Sequence, residues 1–258
     1  MANKIDQIIA SKKDCYFISP HYDDMAYSAS MLAKKLSKTN RVIVINVFTT
    51  VDEGPYMNVD KEWLKKCNYS DSIRFFSDRS AEDKVALAGI AYKVIDLGFS
   101  DAQWRNNRGY LRKHLAKLSP KFLSFRSSFT YRYHIRRGNI AKADRRTYVQ
   151  LTNKLKHTIK SEDAEIFCPL AVGNHFDHLI TRNACEAVFE DLIYWEDYPY
   201  NLKHELQNTQ DMKTFEYTGS VASKKKIIFA YKTQYKAMFG KKGPVIIPER
   251  FYYRERSS

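Results

Sequence analysis

The stretch Cys15-Tyr16-Phe17-Ile18-Ser19-Pro20-His21-Tyr22-Asp23-Asp24-Met25 decides the fold. A short apolar run stops at a proline, an imidazole and two carboxylates follow, and a helical pattern begins. Met25, Ala29, Leu32 and Leu36 then recur at the three- and four-residue steps of one helix face. The run Arg41-Val42-Ile43-Val44-Ile45-Asn46-Val47-Phe48 is β-branched almost throughout, the composition of a strand buried on both faces. Strand, helix and strand joined by short connections form the unit of a parallel α/β sheet. The alternation continues with a loop at 52–55, a helix at 79–92 and a strand at 93–98. It resumes with a helix at 145–160, a strand at 165–169, and helices at 177–189 and 227–239. The expected fold is α/β, a doubly wound and mostly parallel sheet. No repeat, low-complexity tract or linker divides the chain, so 1–258 reads as one domain.

With 258 residues the chain can bury a sizeable core, and 44% hydrophobic with 28% charged residues is ordinary for a globular protein. No apolar run approaches the ~20 residues of a membrane-spanning helix. The first residues are polar, and Ile8-Ile9-Ala10 is too short for the core of a signal peptide. A cytoplasmic protein is therefore expected. The four cysteines, Cys15, Cys67, Cys168 and Cys185, are scattered with no C-x-x-C pair, which excludes a zinc ribbon and a thioredoxin-like motif. Cys15 and Cys168 sit in strand-like runs and read as reduced core residues.

The formal charge of +14 is concentrated in one place. Residues 103–160 carry sixteen Lys and Arg against a single acid, Asp144, while the remainder of the chain is close to neutral. Phe122, Phe125, Phe129, Tyr131 and Tyr133 are interleaved with arginines there. This basic insertion reads as a solvated face, a lid, or a surface for an anionic partner: a phosphorylated small molecule or an anionic membrane. Arginines with aromatics can also track a nucleic-acid strand. No RNP, zinc-finger or other nucleic-acid motif accompanies them.

A second segment matches the first. Gly173-Asn174-His175-Phe176-Asp177-His178 follows the strand at 165–169 and opens a helix, as His21-Tyr22-Asp23-Asp24 does after the first strand. Open α/β sheets bind ligands beyond the carboxyl ends of their strands. Imidazoles and carboxylates converging there suit a divalent metal, and a His₂-carboxylate set with an open position is what hydrolytic zinc requires. An Asp at a helix start also serves as a cap, and a single His is more often a hydrogen-bonded or surface residue. Two such strings, each after a strand, favour the metal.

His21-Tyr22-Asp23-Asp24 and His175-Phe176-Asp177-His178 resemble the paired signatures of the LmbE-like, or PIG-L, deacetylases, zinc enzymes with a Rossmann-like fold that deacylate N-acetylglucosamine-type amides. Arg79-Ser80-Ala81-Glu82, the segment 86–89 and Leu97-Gly98-Phe99-Ser100-Asp101 are similar to the family's middle block. Lys226, Ala230, Tyr231, Thr233 and Gln234 resemble its C-terminal helix, and the basic segment has no counterpart. Tyr22, Met25 and Phe176 depart from the family's usual residues at positions that are not ligands. The resemblance implies His21, Asp24 and His178 as Zn²⁺ ligands. It implies Asp23 as general base, His175 as the group polarising the acyl oxygen and Asp177 as the residue orienting a histidine. Arg79 and Asp101 fall where family members contact the sugar. Such chemistry asks Asp23 to take a proton from water and deliver it to the leaving amine, and a protonated His175 to face the oxyanion. His₂-carboxylate sites also accept iron, cobalt or nickel.

Tyr194-Trp195-Glu196-Asp197-Tyr198-Pro199-Tyr200 packs four aromatics around two acids. It reads either as a loop against the core or as part of a sugar cleft, with Glu196 and Asp197 as substrate contacts. The expected activity is removal of the acetyl group from an N-acetylglucosamine-type amino sugar on a nucleotide- or lipid-linked carrier, at or near the membrane surface. The alternatives are N-deacetylation of a thiol-cofactor precursor glycoside or an antibiotic intermediate. A non-enzymatic basic protein binding nucleic acid or membrane, with a decayed site, is the remaining alternative, but His21, Asp24 and His178 are all present.

Overall fold

The computed structural model describes residues 4–52, 58–105, 144–159, 163–206 and 209–255. The later part of the 52–55 loop and the aromatic-rich part of the basic segment lie outside them. Ser19 ends the first strand, β1 (Asp14–Ser19), and its hydroxyl makes the turn that follows, donating to the His21 carbonyl at 2.6 Å and accepting from the Met25 N–H at 3.0 Å. Helix α2 (Asp24–Leu36) then starts directly, preceded in the chain by α1 (Lys4–Ser11).

The β-branched run forms β2 (Val42–Thr50), and α3 (Asn58–Lys66) and α4 (Ser72–Leu87) lead to β3 (Lys93–Ser100). After α5 (Arg145–Thr158) come β4 (Ala164–Pro169), α6 (Phe176–Glu186) and β5 (Leu192–Trp195). The chain closes with β6 (Lys213–Tyr217), α7 (Val221–Ala230), α8 (Lys232–Phe239) and β7 (Glu249–Tyr253).

Among the described residues, seven strands form one sheet in the order β3-β2-β1-β4-β5-β7-β6. The first five are parallel, and β7 and β6 add antiparallel strands at one edge. This is the expected doubly wound, mostly parallel α/β sheet. Its strand order reverses at β1, so a crevice opens between the carboxyl ends of β1 and β4. Alternate residues of β1 supply two apolar layers: Cys15 and Phe17 face α2, α4 and α7, while Ile18 faces α5 and α6. All four cysteines are free and buried. No helix among the described residues is long and apolar enough to cross a membrane.

The basic stretch is not uniform. Its end, α5, is a helix of the connection between β3 and β4, with Leu151 and Leu155 fully buried in the core. The helix expected at 79–92 instead runs Ser72–Leu87. It starts at Asp71, whose carboxylate caps the Ile73 and Arg74 amides. The helix expected at 227–239 is two helices, divided at Tyr231.

Tyr231 also marks a buried polar network. Its hydroxyl donates to Asp83 at 2.7 Å, and the Asn46 amide donates to the other Asp83 oxygen at 2.9 Å. Burial pushes the Asp83 carboxyl up to about 7, against these two hydrogen bonds, which pull it down. An acid raised above its unfolded value binds more protons when folded, so its contribution to stability is present below about pH 4 and is lost as pH rises through about 7. Asp83→Asn removes that dependence, and its amide can donate to Asn46 Oδ1, which has no partner. Urea unfolding of both proteins at pH 5 and pH 8 measures the effect. The variant's stability relative to wild type is expected to rise by about 2–3 kcal/mol between those pH values. Parallel pH profiles would show that Asp83 titrates normally.

Candidate metal centre

Both signature strings end at the crevice. The turn after β1 brings His21, Asp23 and Asp24 to the head of α2, and the loop after β4 brings His175, Asp177 and His178 to the head of α6. That loop is tightly folded: Ala171, Gly173 and Asn174 all have positive φ. A Cβ on Gly173 would sit 3.1 Å from the Tyr200 and His204 side chains, so the position requires glycine for space as well as conformation.

Asp24 Oδ2 lies at the centre. It faces His21 Nδ1 at 2.9 Å and His178 Nε2 at 3.2 Å, and accepts the His21 backbone N–H at 2.8 Å. His21, Asp24 and His178 place one donor atom each within 4.8 Å of one another, and all three residues are buried. The far nitrogen of each histidine is engaged. His178 Nδ1 donates to Asp197 Oδ1 at 2.7 Å, and His21 Nε2 lies 3.1 Å from Asp177 Oδ2. Carboxylates behind the histidines fix the tautomers and ring orientations, as they do around bound metals.

His178 Nε2 is likewise buried, and the polar group it faces is the same Asp24 oxygen. Two imidazole nitrogens converging on one buried carboxylate oxygen are an arrangement that fits a cation. A His₂-carboxylate donor set suits zinc and related divalent ions. His21, His175 and Asp177 also lie within 4.8 Å of one another. Asp177 is already committed there, with Oδ1 accepting from Arg105 at 2.7 Å and Oδ2 from the Ala102 N–H at 2.7 Å.

The electrostatics agree with a site built for positive charge. Burial alone lowers both histidines, but Asp24 and its neighbours outweigh it, raising His21 well above its usual value and His178 to about 10. Burial raises Asp24, yet His178 and His21 hold it well below the usual carboxylate range. Asp177 is likewise held low, by Arg105 and His21, against its burial. His175 goes the other way. Burial and then the charges on His178 and His21 push it down to about 3. That direction runs against the protonated His175 expected from the sequence, since positive charge beside it opposes a further proton. Its buried Nδ1 has no hydrogen-bond partner.

Asp23 makes its hydrogen bonds to other groups than the histidines among the described contacts. Arg79 donates to one of its oxygens at 3.0 Å and Gln234 to the other at 2.9 Å. Its carboxyl is raised by burial, with Arg79 opposing. Arg79, read from the sequence as a sugar contact, is 4% exposed and packs its guanidinium over Phe76, Phe75 and Tyr22. It braces Asp23 and lies 3.9 Å from Asp101. Asp101 in turn stands 3.6 Å from His21 Nε2 and is raised by burial.

The aromatic stretch divides in two. Trp195 and Tyr194 belong to β5 and the core, and Tyr198 is buried beside them. Asp197 is also buried and spends both oxygens on His178 and the Val172 N–H, so it lies behind a histidine and away from any open cleft. Glu196 faces Arg250 and a small cavity with Lys224 and Glu249, on the other side of the strand end. Tyr200 stacks edge-on against His178, with ring centres 5.5 Å apart. Gln234, matched to the family's C-terminal helix without a role, and Arg105, counted only among the basic residues, are both neighbours of the site.

No family model matches the chain, and no curated protein matches it. The fold does have close counterparts among solved structures. The zinc-inhibited form of teicoplanin deacetylase Orf2 superposes with a TM-score of 0.70 at 16% identity, covering 95% of this chain and all of that one. Dbv21, the deacetylase of the A40926 pseudoaglycone, superposes at 0.67 with 18% identity, over 94% of this chain and 97% of that one. A 4-carboxy-2-hydroxymuconate hydratase from Pseudomonas putida, GalB, shares the fold more distantly: TM-score 0.52 and 10% identity over 95% and 98%. The fold therefore hosts more than one reaction, and the choice between them falls to the side chains.

Proposed function

We propose that the chain is a metal-dependent N-deacetylase of the LmbE-like type, acting on an N-acetylated amino sugar. The observation that carries this reading is the convergence of His21 Nδ1 and His178 Nε2 on one buried oxygen of Asp24, with a carboxylate behind each histidine. The fold shared with two deacetylases supports it. His21 Nδ1, Asp24 Oδ2 and His178 Nε2 would hold the ion. When bound, a divalent ion supplies Lewis acidity that polarises an acyl oxygen and makes water acidic enough to attack near neutral pH.

The chain's own residues do the rest. Asp23 accepts a proton from the attacking water and returns it to the nitrogen as the amide C–N bond breaks, giving acetate and an amine. Arg79 and Gln234 hold its carboxylate from both sides. Neutral His175 offers an N–H to the oxygen on which charge develops, as an oxyanion-hole donor does. Asp197 and Asp177 keep the two histidines oriented. Arg79, Asp101 and Tyr200 stand around this centre, with Asp101 and Tyr200 as the candidate sugar contacts.

The concentration of positive charge in 103–160 supports a phosphate-bearing substrate, nucleotide- or lipid-linked. Acetate release from zinc-loaded protein tests both levels, with free N-acetylglucosamine, UDP-N-acetylglucosamine and neutral N-acetyl glycosides as substrates. Preference for the nucleotide sugar, weakened by salt, is the expected result. Equal turnover of the free sugar would overturn the anionic carrier. No acetate from any of them would overturn the deacetylase reading.

A further inference from the structure

Arg105 follows β3, and Asp144 immediately precedes α5. Their side chains meet: Arg105 Nη1 donates to Asp144 Oδ1 at 2.7 Å, and each side chain is only 5% exposed. The same guanidinium donates through Nη2 to Asp177 Oδ1 at 2.7 Å and through Nε to the Ser100 carbonyl at 3.0 Å. Its face lies 5.0 Å from the Phe48 ring centre and 6.0 Å from that of Phe176. Asp177 is completely buried, and its second oxygen is the one that faces His21 Nε2. One arginine thus holds Asp177 by the oxygen that does not face the histidine.

We propose that Arg105 is a positioning residue for the metal centre. By gripping Asp177, with Asp144 as its own anchor, it sets the His21 ring and thereby the affinity of the His21, Asp24 and His178 set for a divalent cation. The proposal rests on the metal reading given above. The geometry requires arginine, because three acceptors in different directions are met by the fixed fork of a guanidinium. A lysine ammonium carries the charge but cannot span them. Partners behind metal-bound histidines typically matter 10- to 100-fold in affinity.

The test is zinc affinity of the full chain, by competition with a chromophoric chelator, with unfolding midpoints of the metal-free proteins measured in parallel. Arg105→Gln and Arg105→Lys are each expected to weaken zinc binding by roughly 10- to 100-fold. Asp144→Asn should weaken it less in wild type and not at all in the Arg105→Gln background, because the two act in series. Should Arg105→Gln fail to fold, Arg105→Lys and Asp144→Asn carry the comparison. Variants that lose metal-free stability yet bind zinc as tightly as wild type would make Arg105 a structural residue and overturn the proposal. A wild-type chain that binds no zinc is a different result: it removes the metal reading, and the positioning role with it.

Discussion

Replacing Asp24 by alanine is expected to reduce bound metal from about one ion per chain to near none, and to lower kcat/KM by about a thousandfold or more. The size follows from geometry. A single oxygen, Oδ2, faces both His21 Nδ1 and His178 Nε2, so no other described carboxylate can replace it at that point. Asp177 is held by Arg105 and the Ala102 amide, and Asp197 by Val172 and His178. Loss of Lewis-acid stabilisation worth several kcal/mol corresponds to about three orders of magnitude in rate. Metal analysis and acetate-release kinetics on the same preparation check it. An Asp24→Ala protein with full metal content and near wild-type activity would contradict the site.

The neighbouring carboxylate should behave differently. Asp23→Asn is expected to keep its metal and to lose about 10²- to 10⁴-fold in kcat, the range for removing a general base. Its oxygens meet Arg79 and Gln234, and no histidine is within hydrogen-bond reach of it among the described contacts. The asparagine can still accept from Arg79. Gln234 can turn its amide to accept the new N–H, so the surroundings need not move. KM should change little. A variant that loses metal together with activity would place Asp23 among the ligands and remove the division of labour between the two adjacent acids.

The central sheet was legible because its signals are local. The apolar run of β1, the stop at Pro20 and the face formed by Met25, Ala29, Leu32 and Leu36 sit within about twenty residues of one another. The strand pair β6 and β7 was not legible. In Glu249-Arg250-Phe251-Tyr252-Tyr253, buried Glu249 breaks the usual apolar pattern because its carboxylate accepts the Met31 and Leu32 amides and pairs with Lys224. The break between α7 and α8 is equally silent in sequence, since Tyr231 is set by contacts with Asp83 and the Tyr22 carbonyl.

The site divides along the same line. The residues in the two short strings were readable, and the fold brings His21, Asp24 and His178 together. Gln234 reaches Asp23 across 211 residues, and Arg105 reaches Asp177 across 72, separations that no local pattern encodes. Asp197 and Glu196 are adjacent just beyond the end of β5 yet face different surroundings, His178 for the one and Arg250 for the other. Composition had offered them as a pair.

The most direct measurement is anomalous diffraction at the zinc edge, from crystals of protein purified without chelator and supplied with zinc. The expected map has one strong peak about 2 Å from His21 Nδ1, Asp24 Oδ2 and His178 Nε2. A map with no peak between those atoms, or with zinc only on other residues, would contradict the metal centre on which the proposed chemistry stands.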